Sequence, residues 1–244
     1  MKNCLFLLIL FTLLSCSDDD NNKTANAEIP ANEKFLKKIT YPDPDLYYTF
    51  DYNPDKTIRK ITSSMTNDPF AAVLSFTYEN GLITAVDRLM ANNTVRTTFS
   101  YDANRKLSGV TTGNAYRPMT YQAADNSYIT TSPYGRPMKF YVTADGDVGR
   151  TVEQNQNDET YIGLVFNPEK FGPLYNSNPI ALYVYLIEPI AIVNYGTLLT
   201  RRPVENITYF GNNPYSNTYD SEGFITESKE SGADSGRIFE YTRL

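Results

Sequence analysis

The sequence contains no histidine and no tryptophan, and only two cysteines among 244 residues. Without histidine, Ser-His-Asp and Cys-His nucleophilic machinery is excluded, as are zinc sites built on imidazole. Long apolar runs are missing too. The run from Leu5 to Leu14, broken by Thr12, is too short for a membrane-spanning helix, which needs ~20 residues. There is no basic tract. Lys and Arg number 22 against 28 Asp and Glu, for a net charge of −6, which argues against nucleic acid as a partner. No glycine-rich loop has the strand-to-helix context of a phosphate site, and nothing calls for a cofactor. Carboxylate chemistry, Ser-Lys arrangements and oxygen-ligated calcium stay open.

The amino terminus carries a short basic start (Met1-Lys2-Asn3), the apolar run, and then Leu13-Leu14-Ser15-Cys16. The run has the length of a signal-peptide core. The last four residues resemble the lipobox of bacterial lipoproteins, in which a small residue precedes the cysteine. That resemblance implies lipidation of the Cys16 thiol and removal of residues 1–15. More than one acyl chain holds a protein stably at a bilayer, at ~0.8 kcal/mol per buried CH₂. The expected partner is therefore a membrane, reached through lipid. Ser17, Asp18, Asp19 and Asp20 follow, then Asn21-Asn22. This tract resembles the acidic export signal of Bacteroidetes lipoproteins, which implies display on the outer face of the outer membrane. Residues 16–30 read as a solvated acidic tether, and 31–244 as a single all-β domain. With Cys4 removed and Cys16 lipidated, that domain has no disulfide, so its stability rests on core burial.

The 20 Tyr and 13 Phe fall in a recurring unit of an aromatic, any residue, Tyr, an acidic or amide residue, and a turn. Phe50-Asp51-Tyr52-Asn53, Phe76-Thr77-Tyr78-Glu79 and Phe99-Ser100-Tyr101-Asp102 are full copies. Thr218-Tyr219-Asp220, Met119-Thr120-Tyr121, Ile207-Thr208-Tyr209 and Phe239-Glu240-Tyr241 are partial ones. Side chains alternate along a strand, so Phe and Tyr share one face while Asp51, Thr77, Ser100 and Glu240 take the wet one. Asn80-Gly81 has the signature of a type I′ hairpin, and Asp145-Gly146 predicts another hairpin between Lys139–Thr143 and Val148–Glu153. The aromatic face reads as core. The architecture predicted is an antiparallel meander of hairpins forming a strongly curved sheet or barrel-like structure, aromatic inside and water-facing outside.

Asn167 to Pro203 interrupts the hairpins. Asn178-Pro179 reads as a helix start, Ile180 to Ile187 is apolar throughout, and Pro189 stops the run. The expectation is a short helix near 179–189 that plugs or caps the sheet, with a buried strand as the alternative. The Phe-x-Tyr-Asp units resemble the YD repeat of the RHS class loosely. The lipobox, the hairpin repeats and this late interruption together resemble a Bacteroidetes family of secreted lipoproteins of unknown function with a porin-like β fold. No catalytic residue comes with that resemblance.

The carboxylate pairs Asp43/Asp45, Asp51/Asp55 and Asp145/Asp147 sit in turn-rich sequence and read as turn formers. The expectation is a non-enzymatic, surface-anchored protein that binds or scaffolds, with another surface protein or a glycan as partner. The alternative is a glycan-binding accessory lipoprotein. Tyr116, Tyr134, Tyr175 and Tyr215, each beside Pro or Gly, are its candidate stacking residues.

Overall fold

Hydrogen bonding sorts the aromatic units into one continuous antiparallel ladder. The structure, a computed structural model, describes residues 33–42, 45–65, 73–90, 93–154, 159–187, 198–209 and 211–244. Cys16, the Ser17–Asp20 tract, the signal peptide and the tether lie outside the described residues. The strands are β1 (Phe35–Thr40), β2 (Tyr47–Tyr52), β3 (Ile58–Ser63), β4 (Val73–Glu79), β5 (Leu82–Met90), β6 (Asn93–Tyr101), β7 (Leu107–Thr112), β8 (Ala115–Pro118) and β9 (Thr120–Gln122). They continue as β10 (Ser127–Thr131), β11 (Pro137–Val142), β12 (Val148–Gln154) and β13 (Glu159–Phe166). After helix α1 (Ala181–Ile187) come β14 (Val204–Thr208), β15 (Asn212–Tyr219), β16 (Ile225–Glu230) and β17 (Arg237–Thr242).

Apart from β8 and β9, consecutive strands pair with each other, and β1 pairs antiparallel with both β2 and β17, which closes the meander into a barrel. An up-and-down meander closes antiparallel only with an even number of strands. The 17 strands satisfy this because β8 and β9 run in one direction, separated by Met119 alone. β8 pairs with β7 and β9 with β10, so the two act as one bent strand.

One turn type recurs and explains the acidic residue after Tyr. In Asn53–Thr57, Asp102–Lys106, Ser132–Arg136, Thr143–Asp147 and Asp220–Phe224, the first N–H bonds the fifth carbonyl and the fourth N–H bonds the first carbonyl. The fourth residue (Lys56, Arg105, Gly135, Gly146 or Gly223) has positive φ. This is a type I turn closed by a left-handed residue. The first side chain clamps the turn. Asp102 Oδ1 accepts the N–H groups of Asn104 and Lys106, and Asp220 Oδ1 those of Glu222 and Phe224. Ser132 Oγ does the same for Tyr134 and Arg136. Asn80-Gly81 forms the expected two-residue turn, both residues at positive φ. Asp145-Gly146 does make a hairpin, but through the five-residue turn rather than type I′.

Four of the hairpins also carry a bulge beside the Tyr of the repeat. The register slips next to Tyr52, Tyr78, Tyr101 and Tyr219. A bulge takes one residue out of the ladder, and a neighbouring tyrosine fills the gap. Tyr52 donates its hydroxyl to the Leu36 carbonyl, Tyr78 to Ile58, Tyr101 to Ile83 and Tyr241 to Ile225, at 2.5–2.8 Å. All four acceptors lie at a register shift. The Tyr of Phe-x-Tyr therefore ties one hairpin to the next, while its Phe (Phe50, Phe76, Phe99, Phe239) is buried in the core.

Helix α1 fills the inside. Its seven residues are apolar on all sides, and all but Tyr183 are buried. This resolves the helix-or-strand alternative. The helix starts at Ala181, later than the Pro179 expectation, because Asn178 is turned to the wall. Its side chain accepts the Ile58 N–H and donates to the Tyr78 hydroxyl. Glu188 and Pro189 lie outside the described residues. Arg117 of β8, itself buried, reaches in from the wall to donate to the Leu186 and Thr131 carbonyls. Positive charge at a helix C-terminus is favourable. One core cluster joins α1 and Leu198-Leu199 to wall residues of β1–β7, β10–β12, β16 and β17.

Candidate functional site

Three places gather polar or aromatic side chains beyond what the core requires. The first is the barrel interior beside α1. The opening lined by Ile39, Phe50, Ile61, Leu74, Val184 and Leu199 holds only about 20 Å³, space for about one water. Among the described residues, this opening leaves no room for a substrate.

The second is the latch over one end of the barrel. The Asp147 carboxylate is buried and accepts the N–H groups of Arg201 and Arg202 at 2.9–3.2 Å. Burial pushes its carboxyl up to about 6, against the pull of those donors. Asp145 pairs with Arg202 at 2.9 Å. The cluster clamps residues 198–203 to the hairpin. Both Asp147 oxygens and Asp145 Oδ2 are occupied by N–H donors of Arg201 and Arg202. Asp51 likewise lies near Arg59 and Lys60, and Asp55 bonds Thr57 within its own turn. The carboxylates described here build turns and latches.

The third is an outer-face groove of about 260 Å³ lined by Ile129, Lys139, Tyr141, Arg150, Val152 and Gln154. The ladder assembles it. Ile129 opposes Lys139, which opposes Val152. Tyr141 opposes Arg150, and Val152 opposes Tyr161. The inward positions of the same strands, Tyr128, Met138, Phe140 and Thr151, are buried, so the groove residues project outward. The Arg150 guanidinium lies 5.4 Å from the Tyr141 ring centre and 5.4 Å from that of Tyr161. Such cation–π contacts contribute ~0.5–1 kcal/mol each at exposed sites. Lys139 lies 4.8 Å from the Tyr141 ring and is paired with Asp125 at 2.6 Å. That hydrogen bond raises the lysine's pKa. Tyr161 is 47% exposed.

The four tyrosines singled out from sequence are not brought together as an exposed row. Tyr116 and Tyr134 are exposed at 60% and 72%, but Tyr116 lies in strand β8 rather than a loop. Its ring lies close against Gly109, whose missing Cβ leaves the space it occupies. Tyr134 sits in the β10–β11 turn. Tyr175 packs on Phe171 with ring centres 4.3 Å apart, with Arg201 and Arg202 over its ring. Tyr215 belongs to β15 and packs with the Leu164, Val204 and Ile207 cluster. A Pro or Gly neighbour marks a turn in one case and a strand edge in another, so it does not report exposure. Tyr141, Arg150 and Tyr161 were missed because outward alignment across three strands depends on register. The only signal was polar or aromatic residues at alternate positions of the predicted hairpin.

No family model matches the chain, and no curated protein matches it. Among solved structures, it is similar to a porin-like protein from Bacteroides uniformis ATCC 8492. That similarity covers 86% of this chain and 96% of the other, with 11% identity and a TM-score of 0.47.

Proposed function

We propose that the protein is a lipid-anchored lipoprotein of the outer membrane, displayed outward, which binds a partner at the outer surface of its barrel and catalyses no reaction. The observation that carries this reading is the division between inside and outside. The interior is filled by α1 and aromatic side chains, which leaves the wall, rims and turns as working surface. The wall does not suit lipid. A membrane barrel needs an outward apolar band, whereas the outward positions of β6 are Thr94, Arg96, Thr98 and Ser100, all exposed. Those of β15 are Asn212, Pro214, Ser216 and Thr218. The strands are 3–9 residues long, at or below the ~9–11 a spanning strand requires. A water-facing barrel held at a membrane needs a tether, and Cys16 supplies the chemistry for one. The absence of histidine and the engagement of carboxylates in turns support binding over catalysis.

The test is Cys16→Ala in the native host. The variant is expected in the soluble fraction, while the wild-type chain stays with membranes and is cut by protease added to whole cells. Continued membrane association of the variant would remove the lipid anchor from the account. Protection of the wild type on intact cells would remove the outward display.

A further inference from the structure

We propose that the outer-face groove over β10–β13 binds an acidic saccharide, with Arg150 holding the anionic group and Tyr141 and Tyr161 stacking on the sugar ring. The proposal rests on the reading that this protein works by binding at its outer surface, and it names the place and the ligand class.

Arg150 carries the argument. Among the described residues it forms no ion pair, although the chain as a whole is acidic. Among the described residues the nearby carboxylates are engaged elsewhere: Asp125 with Lys139, and Glu153 toward Arg136. Its guanidinium is instead held between two tyrosine rings on flanking strands. Among the described residues its contacts are with rings rather than with acceptors, and its N–H donors lie in one plane. The planar edge is thus available to grip a carboxylate or sulfate bidentately. A side chain already fixed by stacking loses less freedom on binding than a free one.

The rest of the groove selects a sugar over a bare anion. Tyrosine rings offer flat apolar faces with a polar tip, which suits a pyranose with one C–H face and a hydroxyl rim. Lys139 and Gln154 add polar groups along the same wall, and Ile129 and Val152 form its apolar floor. At about 260 Å³ the groove falls just below the ~300–1,000 Å³ of typical small-molecule pockets, and it fits one or two rings of a chain that continues past it. The sheet wall is open on the outside, as a polymeric ligand requires.

The test is affinity electrophoresis of the full-length protein in detergent, in gels containing polygalacturonate, chondroitin sulfate or neutral dextran. Retardation is expected in a carboxylated or sulfated gel and not in dextran, and the first two gels distinguish carboxylate from sulfate. An acidic protein is repelled by both anionic polymers, so retardation there reports a local site. R150Q and Y161A should each weaken the interaction by about tenfold or more. Y116A, at an exposed tyrosine outside the groove, should leave it unchanged. Circular dichroism of each variant verifies folding, which outward positions should preserve. Equal mobility of the wild type in all gels overturns the saccharide assignment but leaves the anchored-binding reading to the Cys16→Ala test. Retardation that persists in R150Q, or is lost equally in Y116A, overturns the site.

Discussion

Tyr101→Phe removes a single oxygen and tests whether the tyrosine ladder holds the hairpins together. The Tyr101 hydroxyl donates to the Ile83 carbonyl at 2.5 Å and lies 3.1 Å from the Tyr183 hydroxyl on α1. Ile83 is buried and sits at the bulge of its hairpin. Deleting the donor leaves a desolvated carbonyl unsatisfied, which costs ~1–3 kcal/mol. The Tyr183 hydroxyl, whose pKa burial also raises, loses a partner in the same step. The expected loss is about 2–3 kcal/mol. For a domain of this size each kcal/mol lowers Tm by roughly 2–4 °C, so Tm should fall by about 4–12 °C. Urea unfolding should show a lower midpoint with an unchanged slope. Tyr116→Phe is the control. Its hydroxyl reaches the Ser108 carbonyl at 3.3 Å in an exposed setting, and its loss should change stability by less than about 0.5 kcal/mol. A Tyr101→Phe change within that same margin would refute the ladder as a stabilising device.

Two further predictions concern pH. Burial raises the pKa of Tyr52, Tyr78, Tyr101, Tyr185 and Tyr241, and pushes Tyr128 up to about 12. Above pH 10 the native state therefore keeps phenolic protons that the unfolded chain has lost, so stability must fall as pH rises. Urea midpoints measured from pH 9 to 11.5 should decline steeply, and a flat profile would contradict the buried hydroxyls. Asp147 behaves in the same sense at lower pH. Its folded value of about 6 lies above its ordinary value of 3.8, so its contribution is full below 3.8 and is lost as pH rises to 6. At ~1.4 kcal/mol per pH unit the change is on the order of 3 kcal/mol. Asp147→Asn should flatten that part of the stability–pH curve, and an unaltered curve would show that the latch does not titrate there.

Much of this architecture was legible because each hairpin is a local event. Alternation placed Phe50, Phe76 and Phe99 inside, Asn80-Gly81 fixed a tight turn, and an all-apolar segment announced a buried helix. The role of the acidic residue after Tyr was not legible, since it acts through backbone N–H groups two and four residues on. Barrel closure was not legible either. It pairs residues 35–40 with 238–242, and no local pattern encodes so distant a contact. The even strand count depends on Met119 as a bend between β8 and β9 instead of a turn. The groove was missed for a related reason. Tyr141, Arg150 and Tyr161 lie on three successive strands, and only the registers of β11–β12 and β12–β13 bring them side by side. The four tyrosines chosen from their Pro and Gly neighbours divide between surface and packed sites because the same neighbours occur in both.

The central claim is that the barrel is filled and dry inside and wet outside. The domain has no cysteine of its own, so introduced thiols report on this directly in a chain carrying Cys4→Ser and Cys16→Ser. Val110→Cys and Val184→Cys place a thiol on the buried inner face and on α1, while Thr98→Cys and Ser216→Cys place one on exposed outer positions. Maleimide should label the outer thiols at the rate of a free peptide. The inner ones should react only through unfolding, slowed about a thousandfold or more at a stability of ~5 kcal/mol. Inner and outer thiols reacting within about tenfold of each other would mean a water-filled channel and would contradict the account.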